Sequence, residues 1–197
     1  MALVNFYIRK QGSDGQGNAF PTYNIMEHFG FVIRELPFNL AVDVKDVDKN
    51  DFFDEDGDIE WAQNRLRAKA YEMKVKFISK GTKEELYGRY SLLRDYLLGI
   101  DNTGTVFMMY EDWHGVGRKD MRLVKFEDDA EYEPLNDGGY VLSFDAVLKV
   151  NDPLTDVIFD DEHDTIEAED GTGLVINGEE VVPYEHCYVI DKTLYIV

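Results

Sequence analysis

The chain has 197 residues, and its 40 Asp and Glu residues against 20 Lys and Arg residues give a formal net charge of -20 at pH 7. Such a field repels nucleic acid and anionic membrane surfaces, which argues against a protein that recognises a specific nucleic-acid sequence. Hydrophobic residues make up 44% of the chain and aromatic residues 13%, which is too much packing material for a disordered acidic chain and predicts one main folded core.

Targeting signals and membrane spans are not indicated anywhere along the sequence. The N-terminal segment lacks the basic-then-apolar order of a signal peptide. No segment approaches the ~20 consecutive apolar residues that cross a bilayer. We therefore expect a protein that is made and kept in the cytosol, with no membrane partner.

The first part of the chain shows short strand signals interrupted by loops. Residues 3–8 predict a strand, and the segment 11–19, rich in Gly, Ser, Asn and Asp, predicts a loop. Residues 29–36 and 38–44 are rich in β-forming side chains and are separated by Pro37, which favours edge strands or strand ends.

The central part of the chain predicts one strand and one principal helix. Residues 68–79 approach an apolar–polar alternation, which predicts a strand with one buried face. Thr82 and Glu85 have the spacing of a capping box, and Gly99 supplies a C-terminal stop, so we expect a helix over 83–98. Its apolar stripe consists of Leu86, Tyr90, Leu93 and Leu97.

Three further strands are expected after the helix, over 104–112, 121–132 and 139–153. One helix between two runs of antiparallel-type strands predicts a mainly β fold, a β-sandwich or open barrel with the helix packed on one side.

The remaining segment predicts a small β appendage, so that the chain divides into a main domain, 1–153, and an appendage, 154–197. The Asn177-Gly178 pair between strand-like residues is typical of a type I′ hairpin turn. Cys187 is the single cysteine, which excludes an internal disulfide and a multi-cysteine zinc site. Its place in an alternating stretch predicts a strand residue with a buried thiol.

Candidate metal ligands are weakly organised. The acidic loop 46–60 contains the carboxylate cluster 54–60 around Gly57, which invites a calcium interpretation. The EF-hand spacing fails, because that alignment places Phe52 and Gln63 at ligand positions, and a solvated acidic loop is the simpler interpretation. The histidines have no metal-ligand spacing; they are His28, His114, His163 and His186. We expect no catalytic metal and no cofactor.

Known catalytic motifs are also missing from the amino-acid sequence. Asp112 lies beside His114 and could orient an imidazole, but no partner nucleophile or substrate pocket is indicated, and an exposed loop between two strands is the simpler interpretation. Neither a phosphate loop nor a nucleophile elbow is present. We therefore expect a protein that is not an enzyme. A hydrolase using His114 with an Asp or Glu partner remains an alternative, to be separated by whether a pocket surrounds the loop 112–118.

The stretch from Tyr71 to Pro153 resembles the N-terminal, ring-forming domain of phage distal tail proteins, whose β-sandwich-plus-helix fold is shared with tail-tube proteins. The matching order is a strand, a capped helix with a leucine stripe, a strand, an Arg-bearing strand, and a last strand with a Phe-Asp pair that runs into Asp-Pro. The segments that carry it are YEMKVKFISKGTKEELYGRYSLLRDYLLG, GTVFMMYED, MRLVKFEDDAEY and GGYVLSFDAVLKVNDP.

This resemblance implies a structural component of a phage or prophage tail, in the virion and assembled in the host cytoplasm. It implies a homo-oligomeric ring, most plausibly hexameric, that binds other tail proteins. Many distal tail proteins carry a larger second domain, where this chain has only 154–197, so the resemblance does not extend to carbohydrate binding. The alternative is a monomeric β-sandwich binding module for carbohydrate or protein, in which Trp113 stacks on a sugar.

Overall fold

The computed structural model folds most of the chain into antiparallel strands around one long helix. It describes residues 4–13, 19–35, 37–46, 49–51, 58–60, 67–136, 138–159, 165–169, 173–176, 179–182, 187–190 and 193–196. The first strands are β1 Phe6–Lys10, β2 Thr22–Asn24, β3 Val32–Ile33, β4 Lys49–Asp51, β5 Asp58–Glu60, β6 Tyr71–Gly81, β7 Val106–Glu111 and β8 Val116–Pro134. They are followed by β9 Tyr140–Val150, β10 Asp156–Phe159, β11 Thr165–Glu169, β12 Gly173–Ile176, β13 Glu179–Val182, β14 Cys187–Ile190 and β15 Thr193–Ile196.

The helices are a five-residue π-helix, Ile25–Phe29, and the helix α1, Lys83–Leu98. The expected fold class, mainly β and antiparallel with one principal helix, is confirmed. The helix over 83–98 is confirmed with the same bounds.

Strand β8 is the branch point of the sheet. Its first residues pair with β7, from Glu111↔Val116 to Val106↔Arg122. The residues from Met121 to Pro134 pair with β9, which pairs in turn with β6 along the whole of Tyr71–Gly81. These three strands form the β6–β9–β8 ladder, and β1 and β2 continue the sheet beyond β7.

Both ends of α1 are closed by local hydrogen bonds. The Glu85 backbone N–H donates to Thr82 Oγ1 at 3.3 Å, and the Thr82 backbone N–H donates to Glu85 Oε2 at 2.9 Å, which completes the expected capping box. These bonds from Thr82 lower the pKa of Glu85. At the other end Gly99 adopts φ 70°, a left-handed conformation that glycine takes without a Cβ clash.

The core lies between α1 and one face of the sheet. The helix contributes Leu86, Leu93 and Leu97, all buried. Phe77 and Phe144, paired across β6 and β9, stack at a ring-centroid distance of 5.2 Å, and Phe31 meets Phe144 edge to face at 5.3 Å. This aromatic cluster fixes which face of the ladder is buried, so the opposite face of β6 points away from the core.

The strands expected over 29–36 and 38–44 are largely wrong. Residues up to Phe29 form the π-helix, and only Val32 and Ile33 form a strand, paired to β6. Within 38–44 the structure has a buried Phe38 and one isolated bridge, Val44↔Ala68. Phe38 reaches the core from this segment, whereas Leu40 and Val44 are exposed, so the β-forming residues of 38–44 do not share one buried face.

Strand β8 begins earlier than expected. Residues 116–120, assigned to the loop before the strand, already belong to β8 and pair with β7. The connection between β7 and β8 is therefore a short turn over 112–115.

The segment after residue 153 continues the sheet. β10 pairs with β8 at Asp156↔Arg118, and β11, β12 and β13 follow as an antiparallel meander. The pair Ile176↔Glu179 agrees with the hairpin expected around Asn177-Gly178, although the turn itself lies outside the described residues. β14 and β15 form a separate two-stranded hairpin that begins at Cys187, whose thiol lies outside what the structure describes.

Candidate assembly surface

The turn between β7 and β8 is anchored by a fully buried carboxylate. Glu111 is 0% exposed and accepts hydrogen bonds from the backbone N–H groups of Trp113 and His114, both at 2.9 Å. The same carboxylate lies 2.8 Å from His114 Nδ1. These contacts fix the turn in one conformation.

Asp112, considered as a residue that could orient His114, has another partner. The Asp112 carboxylate instead accepts hydrogen bonds from the Asn5 backbone N–H at 3.1 Å and from Asn5 Nδ2 at 3.0 Å. Glu111, three residues before His114, takes the place assigned to Asp112. The sequence analysis missed it because residue 111 lay inside an expected strand, although the three-residue spacing is one that a tight turn closes.

Trp113 is the exposed apolar residue of this turn, with 69% of its surface accessible. An exposed indole on a turn held by Glu111 is already positioned for contact with a partner. The carbohydrate-stacking role considered for Trp113 stays a prediction.

The described residues contain no group of three or more His, Cys, Asp or Glu side chains suited to holding a metal ion. His28 stacks on Tyr23 with a centroid distance of 4.0 Å. His163 and His186 lie outside the described residues, as does the part 54–57 of the acidic cluster. The structure pairs β4 with β5 on either side of it, at Asp51↔Asp58.

Lys10 is a buried lysine with a structural explanation. Its Nζ donates to the carbonyl oxygens of Tyr96 and Gly104, both at 2.5 Å, and lies 4.4 Å from the centre of the Tyr96 ring. Burial lowers the pKa of Lys10 below its usual value. Tyr96 lies in the last turn of α1. The Lys10 ammonium therefore connects β1 to the C-terminal end of α1, which is the negative end of the helix dipole.

The outer face of the β6–β9–β8 ladder is charged. Lys74 on β6 lies 2.9 Å from Glu127 on β8 and 2.9 Å from Asp145 on β9, and Lys125 also contacts Glu127, at 3.1 Å. The hydrogen bond from Lys74 lowers the pKa of Glu127, and the bonds to Glu127 and Asp145 raise that of Lys74. This network connects all three strands on the face away from the core.

A groove of about 570 Å³ runs along the same face. Its lining mixes basic, acidic and apolar side chains and contains none of the residues of the β7–β8 turn. The lining residues are Arg34, Glu35, Pro37, Lys74, Val75, Lys76, Ile78, Glu133, Val141, Ser143 and Asp145.

One edge of the ladder is open among the residues that the structure describes. On the β6 side, β3 pairs with β6 at Phe77 and Ile78, and the segment that follows β3 continues beside β6 to the backbone hydrogen bonds of residues 43–45 with residues 67–69. On the other side, β7 stops pairing with β8 at Arg122, which leaves the edge from Leu123 to Pro134 without a partner strand. We call this the β8 edge.

Open strand edges present backbone N–H and C=O groups that another strand can pair with. Two exposed apolar side chains, Val124 and Tyr132, lie on the β8 edge. The ladder is therefore a candidate surface for association with a further chain.

In the part of the chain that the structure describes, neither helix has the length and apolar character needed to cross a membrane. No family model matches the chain, and no curated protein matches it. Among solved structures, the chain is similar to the Dit protein of phage SPP1, described as a paradigm of the hub adsorption apparatus in phages that infect Gram-positive bacteria. The TM-score is 0.45 and the identity 17%; the match covers 85% of this chain and spans 59% of the SPP1 Dit chain.

Proposed function

We propose that the protein is a structural, non-enzymatic component of a phage or prophage tail, a distal tail, baseplate hub or tube-like protein. In this proposal it assembles into a ring, most plausibly a hexamer, and binds other tail proteins in the virion. The observation that carries the proposal is the open β8 edge of the β6–β9–β8 ladder, on which Val124 and Tyr132 are exposed.

A ring of identical subunits needs two different surfaces that fit each other, repeated around a closed rotation. The β8 edge offers one such surface, since its backbone groups meet no partner strand among the described residues and two apolar side chains, Val124 and Tyr132, are exposed on it. The order of strand, capped helix and strands that resembles distal tail proteins in sequence is also the order found between Tyr71 and Val150.

Light scattering across salt concentrations tests self-association. Subunits that each carry a net charge of -20 repel one another, and salt shortens that repulsion to a Debye length of about 10 Å at 0.1 M. We expect the weight-average mass to rise with salt and protein concentration toward one closed oligomer, visible as rings by electron microscopy. A strictly monomeric mass at high salt and high protein concentration would contradict spontaneous ring formation.

The second candidate function is a monomeric binding module that uses the anchored Trp113. The exposure of its indole favours this alternative. Glycan-array binding by a monomeric protein, lost in Trp113→Ala and kept in Trp61→Ala, would support it over the tail role.

A further inference from the structure

We propose that the β14–β15 hairpin of one subunit adds to the β8 edge of the next subunit, beside residues 131–134. Each copy then offers a hairpin to one neighbour and an edge to the other. This inference rests on the proposed ring, and it names the second surface that the ring needs in addition to the β8 edge.

The β8 edge is regular only near its end. The register between β8 and β9 shifts between Leu123 and Lys125 and again between Glu127 and Glu131. Such bulges interrupt the row of backbone groups with which an added strand can pair. After the second shift, residues 131–134 pair with β9 without interruption. This stretch has the four-residue length of β14 and of β15.

Residues 131–134 present a different chemistry on each face. Glu131 and Glu133 are exposed on the outer face, where their partners in β9 line the groove. Tyr132 lies on the core face, because it pairs with the buried Leu142, yet it is exposed. A strand added here therefore meets carboxylates on one face and an aromatic ring on the other.

Helix α1 brings a second exposed aromatic ring to the same end of the ladder. Lys83, its first residue, has its Nζ 4.8 Å from the ring centre of Tyr140, which pairs with β8 at the end of the regular stretch. Tyr90 faces β8, with its ring centroid 6.1 Å from that of Phe126. Tyr87 lies one turn before Tyr90 on the same side of the helix and is exposed. The core-face side of residues 131–134 is therefore an apolar step between strand and helix.

The β14–β15 hairpin has no sheet of its own to join. It pairs with none of the other strands that the structure describes. An isolated two-stranded hairpin is at best marginally stable in water. Its strands have the sequences CYVI and TLYI, which are almost wholly apolar. The hairpin therefore needs both a strand to pair with and an apolar surface to cover it.

The register of the hairpin gives it two different faces. Residues that pair across an antiparallel ladder lie on the same face, and successive pairs alternate between faces. The pairs Cys187↔Ile196 and Val189↔Leu194 form a face without hydroxyl or charged groups. The intervening pairs, Tyr188↔Tyr195 and Ile190↔Thr193, form a face that carries hydroxyl groups. The first face suits the apolar step, and the second suits the charged outer face.

Charge selects this hairpin among the later strands. Residues 154–186 contain no Lys or Arg, whereas residues 187–196 contain one acidic residue, Asp191, and one basic residue, Lys192. The hairpin is therefore neutral and approaches Glu131 and Glu133 without repulsion. Strand β13 would instead bring two further carboxylates to the same edge, and like charges placed opposite each other are destabilising.

The hairpin does not reach the open edge of its own subunit. β8 pairs with β7 along one edge and with β9 and β10 along the other, so the strands from β10 to β13 extend away from the open edge. One row of paired residues leads outward from β8, through Arg118, Asp156, Ala168, Leu174 and Val182.

Distances along the sheet then decide the question. Val182 is four strands from β8, or about 19 Å, and residues 131–134 lie about 25 Å further along β8 than Arg118. The link from Val182 to Cys187 spans at most about 18 Å. A neighbouring copy must therefore supply the hairpin that pairs with residues 131–134.

Three substitutions in the whole chain test the inference, and each adds one negative charge. Leu194→Asp changes the hydroxyl-free face of the hairpin. Tyr132→Asp changes the docking stretch. Val124→Asp is the matched control, because Val124 is exposed on the same edge but lies at the first bulge.

Analytical ultracentrifugation at about 1 M salt measures the association, because a Debye length of about 3 Å then screens the net charge. The association constants of Leu194→Asp and Tyr132→Asp should each fall about tenfold or more, since each loses the burial of an apolar side chain. Val124→Asp should associate as the wild type does. Monomeric Leu194→Asp should unfold thermally as the monomeric wild type does, because the hairpin docks on a neighbour.

A one-to-one mixture of Leu194→Asp and Tyr132→Asp should form a two-subunit complex and grow no further. The intact hairpin of the second variant meets the intact edge of the first, and the two surfaces that remain are both defective. A chain ending at residue 186 should behave as Leu194→Asp does, alone and in the mixture. Complex formation in the mixture also shows that both variants are folded.

Wild-type association of Leu194→Asp and Tyr132→Asp would overturn the inference and leave the ring proposal standing. Equal impairment of Val124→Asp and Tyr132→Asp would overturn the docking at residues 131–134. Impairment of Leu194→Asp alone would overturn it in favour of a contact between two hairpins. Mixed variants that stay monomeric would also overturn it. A wild-type protein that stays monomeric at every salt concentration would overturn both this inference and the ring.

Discussion

Lys10 connects the first strand to the end of α1, because its buried side chain donates hydrogen bonds to two backbone carbonyl groups. Helix ends leave several carbonyl groups without intrahelical partners, and a buried polar group without a partner is costly. The ammonium supplies donors to Tyr96 and Gly104 and lies over an aromatic ring. The cost of burying its charge is visible in the lowered pKa of Lys10.

We predict that Lys10→Met lowers the free energy of unfolding by about 1 to 3 kcal/mol, because the carbonyl oxygens of Tyr96 and Gly104 lose the hydrogen bonds from the buried ammonium. The exposed Lys76→Met should stay within about 0.5 kcal/mol of the wild type. Urea unfolding at pH 7 measures both. A neutral Lys10→Met would mean that relief from burying the charge offsets the lost hydrogen bonds.

The same variant has a pH signature. Because the folded-state pKa of Lys10 is lowered, the unfolded chain binds the proton more tightly, and stability due to this group rises with pH between the lowered pKa and 10.5. The difference between wild type and Lys10→Met isolates this rise from the tyrosines, including Tyr110, whose pKa burial raises to about 12.

Gly117 allows the close approach of β10 to β8. A Cβ at this position would lie 2.2 Å from the carbonyl oxygen of Val157 and 3.0 Å from that of Met109. Both are backbone atoms, which cannot rotate aside as a side chain does.

We therefore predict that Gly117→Ala displaces β10 and lowers the free energy of unfolding by about 1 to 3 kcal/mol, the usual range for overpacking. Gly88→Ala is the matched control, because its Cβ meets nothing within 4 Å on α1. It should stabilise the protein by about 0.5 to 1 kcal/mol. Equal effects of the two substitutions would show that β10 does not pack tightly at Gly117.

At the scale of the elements, α1 is held by its apolar stripe. Leu93 is 0% exposed and lies in the core. Its neighbour Leu92 lies outside the apolar stripe and is 47% exposed. We predict that Leu93→Ala lowers the free energy of unfolding by about 2 to 5 kcal/mol, the range for large-to-small core changes. Leu92→Ala should lower it by less than about 1 kcal/mol. Thermal or urea unfolding separates the two, and a small loss at Leu93 would mean that the stripe faces solvent or a partner.

The sequence predicted α1 to the residue because its signals are local. The bonds between Thr82 and Glu85 and the left-handed Gly99 each act within one helical turn, so their meaning does not depend on the rest of the fold. Strand β6 was predicted for a similar reason, since its alternation of buried and exposed side chains appears in the sequence itself.

Other elements depend on partners distant in sequence, and there sequence reasoning fails. Phe38 is buried without being in a strand, and its segment returns to regular pairing only at the isolated bridge Val44↔Ala68. Glu111 anchors the turn that follows it, and this role depends on the conformation of that turn. The apolar pattern around residue 111 does not indicate it. The open β8 edge could not be read from the sequence at all, since an edge is defined by which strands do not pair.

At the scale of the whole molecule, the division between main domain and appendage depends on β10. Val157 is 0% exposed and packs with Met108 and Tyr110 in a small second cluster, on the other side of the sheet from the aromatic core. Arg118, buried on β8, forms an ion pair with Asp156. These contacts join β10 to the strands of the main sheet. The boundary predicted from the sequence, at residue 153, would instead place β10 in the appendage.

Truncation locates the boundary. We predict that a chain ending at residue 159 is more stable than one ending at residue 153 by about 2 kcal/mol or more, because burying one Val side chain contributes about 1.5 to 3 kcal/mol and the shorter chain also uncovers Met108 and Tyr110. Urea unfolding of the two truncated chains beside the full-length protein measures the difference. The substitution Val157→Ala in the full-length protein, a smaller version of the same loss, controls for effects of the new chain end.

Equal stability of the two truncated chains would place β10 with the appendage and keep the boundary at 153. Loss of stability only in the shorter chain would extend the main domain to Phe159 and leave the later strands as the appendage.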